Sequence, residues 1–227
     1  MASVPTLDMS LLHLRASNAR KTVVDEIGRA CKTLGCFQVI NHGIGECVTK
    51  DALEVSRQFS TYQKTRRKKM GKYAVEARSI ALQLMDAIME SLGLGDTCLK
   101  DKFDKGMQVM AVNTYPQNMS SAPAVGFAPQ SDFGIITLLL QSCQGLQILD
   151  RGQTWKAAPC TAGALHVHIE EVLDCKYSWL PMDDSVGVPE ELVDEHNSKK
   201  YRDSNFRDFM NYLSSVETAP KRDSSIN

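Results

Sequence analysis

The sequence predicts an α+β protein in which a mainly helical N-terminal region precedes an antiparallel β-sandwich or jelly roll. Three observations predict it. Apolar residues recur at spacings of three and four through the first part of the chain, the period shortens to that of strands after Gly106, and the strand-like segments follow one another with no helix between them. A chain of 227 residues is long enough for one sizeable core, or at most two small ones.

Helical patterning begins at Ser17. Val24, Ile27, Cys31 and Leu34 share one face, and Gly35 is placed to end the helix. "CFQVINHGI" reads as a short strand entering a turn at Asn41-His42-Gly43, with His42 as a turn residue near the sheet edge. A second amphipathic helix carries Val48, Ala52, Val55 and Phe59 on one face. The basic run "KTRRKKMGK" lacks interleaved aromatic residues for stacking on bases, so a solvated helix start is expected there; the competing reading is a nuclear-localisation or RNA-binding segment. The helix that follows buries Ala77, Ala81, Leu84, Ile88 and Leu92, with Met85 and Met89 as core filler, and ends at Gly93.

Beyond Gly106, "MQVMAVNTYP", "GIITLLLQ", "GLQILD", "TWKAAP" and "GALHVHIEE" read as strands, with Asp150-Arg151-Gly152 as a hairpin turn. The end returns to helix, with Phe206, Phe209, Met210 and Leu213 on one face behind the capping candidates Asp203 and Ser204.

Composition narrows the function classes. Lys and Arg total 26 against 27 Asp and Glu, so no global field recruits nucleic acid or an anionic membrane. The apolar runs are short of the roughly 20 residues that span a bilayer, and no secretory signal opens the chain, so a soluble cytoplasmic protein is expected. Seven cysteines without paired spacing fit reduced thiols, and no Cys-x-x-Cys supports structural zinc.

Several segments, in order, carry a family likeness. "VVDEIGRACKTLGCFQVINHGI", "GMQVMAVNTYP", "SDFGIITLLLQSCQGLQILDRGQTWKAAP", "GALHVHIEEVLD" and "ELVDEHNSKKYRDSNFRDFMNYLSS" closely resemble successive parts of the plant-type 2-oxoglutarate and Fe(II)-dependent dioxygenases. The resemblance implies a double-stranded β-helix, with residues 1–105 as the helical region and 106–227 as the catalytic jelly roll and terminal helix. It also implies contraction near 60–66 and a missing segment near 175–180, so that the fold is incomplete through internal deletions. Loss of a hairpin from a jelly roll leaves sheet edge unpaired, and lower stability with more self-association than an intact relative is expected.

An intact member of this family uses Fe(II) to activate O₂ while 2-oxoglutarate is decarboxylated to succinate and a small-molecule substrate, such as a flavonoid, another specialised metabolite or a hormone, is oxidised. Two His and one carboxylate hold the iron on one face and leave positions open. The first two ligands come from a His-x-Asp, whose spacing of two puts both side chains on one side of extended backbone. By resemblance Asp132 is the metal carboxylate, and Gln130 stands at the position of the first His. Asn113-Thr114-Tyr115 matches the motif in which Tyr donates to 2-oxoglutarate, making Tyr115 and Asn113 the candidate cosubstrate residues. The second His and the Arg-x-Ser clamp for the distal carboxylate have no counterpart, and no Arg occurs between Arg151 and Arg202.

His166 and His168, two apart on one strand, are the best substitute imidazoles; the alternative is that they are ordinary strand residues. His13, His196 and the scattered Cys143, Cys160 and Cys175 lack partners in sequence, and Glu170 and Glu171 replace the family's usual Gly-Asp. No catalytic residue is assigned. The chain is therefore expected to be a dioxygenase-family protein impaired in catalysis, against two alternatives: a non-enzymatic remnant that binds a small molecule or a protein, and the product of a damaged or mis-spliced gene.

Overall fold

The computed structural model describes residues 4–14, 17–57, 64–94, 103, 105–115, 135–149 and 153–169. Strand β1 (Thr6–Asp8) leads through a 3₁₀ turn (Met9–His13) to helix α1 (Asn18–Thr33), strand β2 (Cys36–Ile40), and helices α2 (Glu46–Arg57) and α3 (Lys64–Ser91). Four strands follow: β3 (Ile136–Leu139), β4 (Gln147–Leu149), β5 (Trp155–Ala157) and β6 (Leu165–Ile169).

Helix α1 starts where the sequence places it. The Ser17 hydroxyl accepts a hydrogen bond from the Arg20 backbone N–H at 3.1 Å, satisfying one of the donors a helix leaves open at its N-terminus. Gly35 ends it in the left-handed region at φ 67°, and its N–H donates to the Ala30 carbonyl at 3.0 Å. The long helix α3 absorbs the basic run at its start. There Lys69 pairs with Asp51 of α2 at 2.7 Å while Arg67 and Lys68 face solvent, as expected of a solvated helix start. Ala77, Ala81, Leu84 and Ile88 are buried along it, Met85 and Met89 with them, and Leu92 is half-buried.

The strands form a four-stranded sheet in the order β1-β2-β6-β3 and a two-stranded hairpin of β4 and β5. β1 joins β2 in parallel; β6 pairs antiparallel with both β2 and β3. Side chains alternate across a sheet, so register decides which face each one meets. Phe37 lies opposite Val167, and Val39 opposite Leu165. These four are at most 1% exposed and share a core with Val23, Val24 and Ile27 of α1 and Ala77, Ala81, Leu84 and Ile88 of α3. The helices thus cover one face of the sheet. Cys36, Gln38, His166 and His168 point to the other.

Two sequence expectations differ from the structure. Residues 107–115, expected as a strand, have no regular secondary structure, and Met107, Val109, Met110 and Tyr115 are exposed. Alternation alone does not make a strand: among the described residues no neighbour pairs with this backbone, and of its large apolar side chains only Val112 is even partly buried. β1 was not expected from the sequence, because three residues are too few to show a period. Phe59, the Asp150-Arg151-Gly152 turn and the C-terminal helix expected around Phe206 to Leu213 lie outside the described residues. β4 and β5 on either side of that turn do pair antiparallel, with Leu149 opposite Trp155.

Helices α1 and α3 approach closely at Gly28, where an added Cβ would sit 2.8 Å from the Ser91 Cβ and Oγ. Gly28→Ala gains about 1 kcal/mol of helix propensity, yet the expected outcome is a lower urea midpoint because Ser91 must shift; Ser91→Gly in the same chain should recover it. Phe37→Ala should cost about 3–5 kcal/mol, whereas Val75→Ala, at an exposed position, should stay within about 0.5 kcal/mol of wild type; urea unfolding of both variants checks the contrast.

Candidate functional site

The face of the sheet turned away from the helices carries a buried polar cluster. His166 lies across β6 from Gln38 of β2 on one side and Leu139 of β3 on the other. A strand that opposed only apolar residues would leave this imidazole unsatisfied at a cost of roughly 1–3 kcal/mol. Instead its Nε2 lies 2.7 Å from the Pro159 carbonyl, and that distance assigns the ring proton to Nε2. The Gln38 and Gln141 side-chain amides also donate to the Pro159 carbonyl, at 3.2 and 3.0 Å. Gln38 Oε1 in turn accepts from the Thr161 hydroxyl at 2.9 Å and the Thr6 hydroxyl at 3.3 Å. His166 and Gln38 are essentially inaccessible to water. Burial holds the imidazole below the usual histidine range, and the bond to Pro159 only partly offsets it.

These side chains converge on the 158–164 loop between β5 and β6. Gln144 donates to the Ala158 carbonyl, and at the other end of the loop His42 Nε2 donates to the Gly163 carbonyl at 2.7 Å. His42 Nδ1 accepts from the Ile44 backbone N–H at 3.2 Å, which fixes its tautomer. The expected turn at Asn41 to Gly43 is present, with Asn41 and Gly43 both at positive φ. His42 itself is 5% exposed and belongs to the loop attachment; it is more than a turn residue. Sequence reading missed Gln38, Gln141 and Gln144. One signal was available: a glutamine between Phe37 and Val39 in an otherwise apolar strand needs partners if the strand is central.

His166 and His168 project to the same face, as their spacing requires, with ring centroids 6.2 Å apart. Cys36 lies opposite His168, and burial pushes its thiol up to about 11. Cys143 is exposed and Cys160 half-buried, while Cys175, His196, Glu170 and Glu171 lie outside the described residues. So do Asp132 and Gln130. Asn113 and Tyr115 are on the irregular, exposed segment.

Among the described residues no three His, Cys, Asp or Glu side chains are grouped to hold a metal ion. His166 Nε2 is committed to a backbone carbonyl, and a metal on that atom would displace the bond that anchors Pro159. Among the described residues no two-histidine, one-carboxylate set is assembled, and the Asp132 position lies outside them. No helix among the described residues is long and apolar enough to cross a membrane.

Residues 4–114 match the N-terminal family described as non-haem dioxygenase in morphine synthesis, and 106–177 match the 2OG-Fe(II) oxygenase superfamily. The chain is 32% identical over 288 residues to the rice 2-oxoglutarate-dependent dioxygenase 21, chloroplastic, covering 92% of this chain and 86% of that one. It is 30% identical over 287 residues to the rice flavanone 3-dioxygenase 3, covering 92% and 88%. Both alignments are longer than the 227 residues present here, so these relatives carry segments that this chain lacks. Among solved structures, a rice dioxygenase for auxin oxidation superposes with a TM-score of 0.72 at 17% identity, over 95% of this chain and 96% of that one. JOX2, solved in complex with 2OG, Fe and JA, superposes with a TM-score of 0.76 at 18% identity, over 93% and 85%. The fold is the double-stranded β-helix with N-terminal helices that these enzymes share, in a shortened form. On identity sustained across most of both chains, the protein belongs to the plant 2-oxoglutarate- and Fe(II)-dependent dioxygenase family.

Proposed function

We propose that this chain derives from a dioxygenase acting on a small plant metabolite, a flavonoid or a hormone, and that its own grip on Fe(II) and 2-oxoglutarate is much reduced. The substrate class is drawn from the relatives: one is named for flavanone, and solved neighbours for auxin oxidation and for a bound JA. The single observation that carries the impairment is Gln130, which stands two residues before Asp132 where the family supplies its first imidazole.

A neutral amide oxygen is a weaker donor to Fe(II) than an imidazole nitrogen. Changing a group that merely orients a ligand commonly costs about 10- to 100-fold in metal affinity or activity, and replacing a ligand costs more. The cosubstrate side is depleted as well. Tyr115 is 55% exposed, so a hydrogen bond from its phenol to a carboxylate competes with water. No Arg between Arg151 and Arg202 offers a guanidinium fork to the distal carboxylate.

Anaerobic titration with Fe(II), with and without 2-oxoglutarate, tests this directly. Wild type should show no stoichiometric binding at micromolar iron. Gln130→His should raise the affinity by at least about tenfold, and adding Asp132→Ala should remove that gain. Tight wild-type binding that Asp132→Ala abolishes, with succinate released as O₂ is consumed, would overturn the reading.

A second reading is favoured by one observation, the excess length of both rice alignments over this chain. It is that the sequence is the product of a damaged or mis-spliced gene. Sequencing the transcript distinguishes the two: restored segments bearing a His and an Arg-x-Ser would return the enzyme, while an unaltered reading frame would leave the impaired protein as the native product.

A further inference from the structure

The attachment of the 158–164 loop is unusual in its chemistry. Its backbone is held largely by side chains, and two of these are imidazoles more than a hundred residues apart in sequence. Gln144 takes the Ala158 carbonyl, Gln38, Gln141 and His166 take Pro159, Gln38 takes the Thr161 hydroxyl, and His42 takes Gly163. The loop also walls a groove of about 400 Å³ through Ala162 and Gly163, opposite Asn41, His42, Glu46 and Thr49.

We propose that this loop is a pH-sensitive clasp, closed while His166 is neutral and released when His166 takes up a proton. The geometry requires the neutral ring. Nε2 already donates to Pro159, so a second proton must go to Nδ1, which is buried and has no hydrogen-bond partner among the described residues. An N–H created there, carrying a positive charge, is shut away from solvent and has no acceptor among the described residues. Opening the loop admits water to the ring and relieves that cost. His42 anchors the other end of the loop, its Nε2 donating to the Gly163 carbonyl and its Nδ1 accepting from the Ile44 N–H. Release moves the Ala162 and Gly163 wall away from the groove, so acidification changes what that groove can admit.

Among the described residues, the groups that face His166 supply no counter-charge. β6 contributes His168, and β2 contributes Cys36, a thiol held in its neutral form by burial. β3 contributes Thr137 and Leu139, which do not titrate, and the loop itself carries Cys160. α1 and α3 pack on the opposite face of the sheet. The direction of the effect follows from the buried ring being held below the ordinary value of 6.5. Above that value both closed and open forms carry a neutral ring and the clasp has its full stability. Below it the open form binds the proton first, so opening becomes more favourable by up to about tenfold per pH unit until the closed form titrates too.

The test is amide exchange of residues 158–164 in the full chain between pH 7.5 and 5.5, corrected for the intrinsic pH dependence of exchange, beside ¹⁵N-histidine spectra that follow each ring. In wild type, loop protection should begin to fall near the ordinary histidine value and drop about tenfold over this range, while the His166 ring, held mainly in the closed form, titrates at lower pH. His166→Gln, which keeps an amide donor for Pro159 but cannot titrate, should give a flat profile. A flat wild-type profile, or an unchanged pH dependence in His166→Gln, would overturn the proposal. Should that variant fail to fold, the wild-type spectra decide alone: protonation of His166 without loss of loop protection overturns the clasp, and protection that begins to fall at a higher pH than the one at which the ring titrates supports it.

Discussion

The antiparallel pairing of β2 with β6 is the constraint on which the described structure depends. It joins Cys36–Val39, from the helical N-terminal region, to Leu165–His168, from the β-rich region, and so places both in one sheet. Because side chains alternate along each strand, this one register settles the two faces together. Phe37, Val39, Leu165 and Val167 go to the helices, and Cys36, Gln38, His166 and His168 go to the other side. A slip of β6 by one residue would turn His166 and His168 toward the hydrocarbon core and Leu165 and Val167 away from it, while Phe37 kept its place. The hydrophobic layer and the polar cluster are therefore two outcomes of one alignment.

The polar face adds specificity that the apolar face cannot. Aliphatic side chains tolerate a range of neighbours provided volume is conserved, whereas a buried glutamine or imidazole must meet particular atoms. Gln38 uses both ends of its amide, accepting from Thr6 and Thr161 and donating to Pro159, and thereby ties β1, β2 and the β5–β6 loop into one arrangement. Between the helices the corresponding precision comes from absence of bulk, where Gly28 leaves room for Ser91. Across their exposed surfaces the Arg20 and Glu90 side chains form a bidentate pair that contributes little by itself, as partly solvated pairs generally do.

The helices were legible in the sequence because each combined a period with punctuation: Ser17 and Gly35 bracket α1, and Gly93 follows the end of α3. The strands were legible where apolar runs were bounded by turns, as in β3 and β6. They were not legible where pairing decides the outcome. "MQVMAVNTYP" alternates well yet finds no partner among the described residues, and Thr6–Asp8, without any pattern of its own, becomes a strand by lying beside β2. Asp132, Gln130, Asn113 and Tyr115 came from the family resemblance alone; the first two lie outside the described residues and the other two on the irregular segment. The polar cluster was not legible, because its members are separated by up to 128 residues and only the register brings Gln38 to His166.

That separation governs how the chain reaches its final form. Closing a loop of this length carries an entropy cost before any contact rewards it, and such non-local pairing slows folding. On the ribosome α1, β2, α2 and α3 emerge well before β6, so β2 begins life without one of its two neighbours, its apolar side covered only once the helices dock. A nascent strand in that condition offers its free backbone to any other extended segment nearby. The interval between the appearance of Phe37 and that of Val167 is thus the period in which this polypeptide is most exposed to association with the wrong chain.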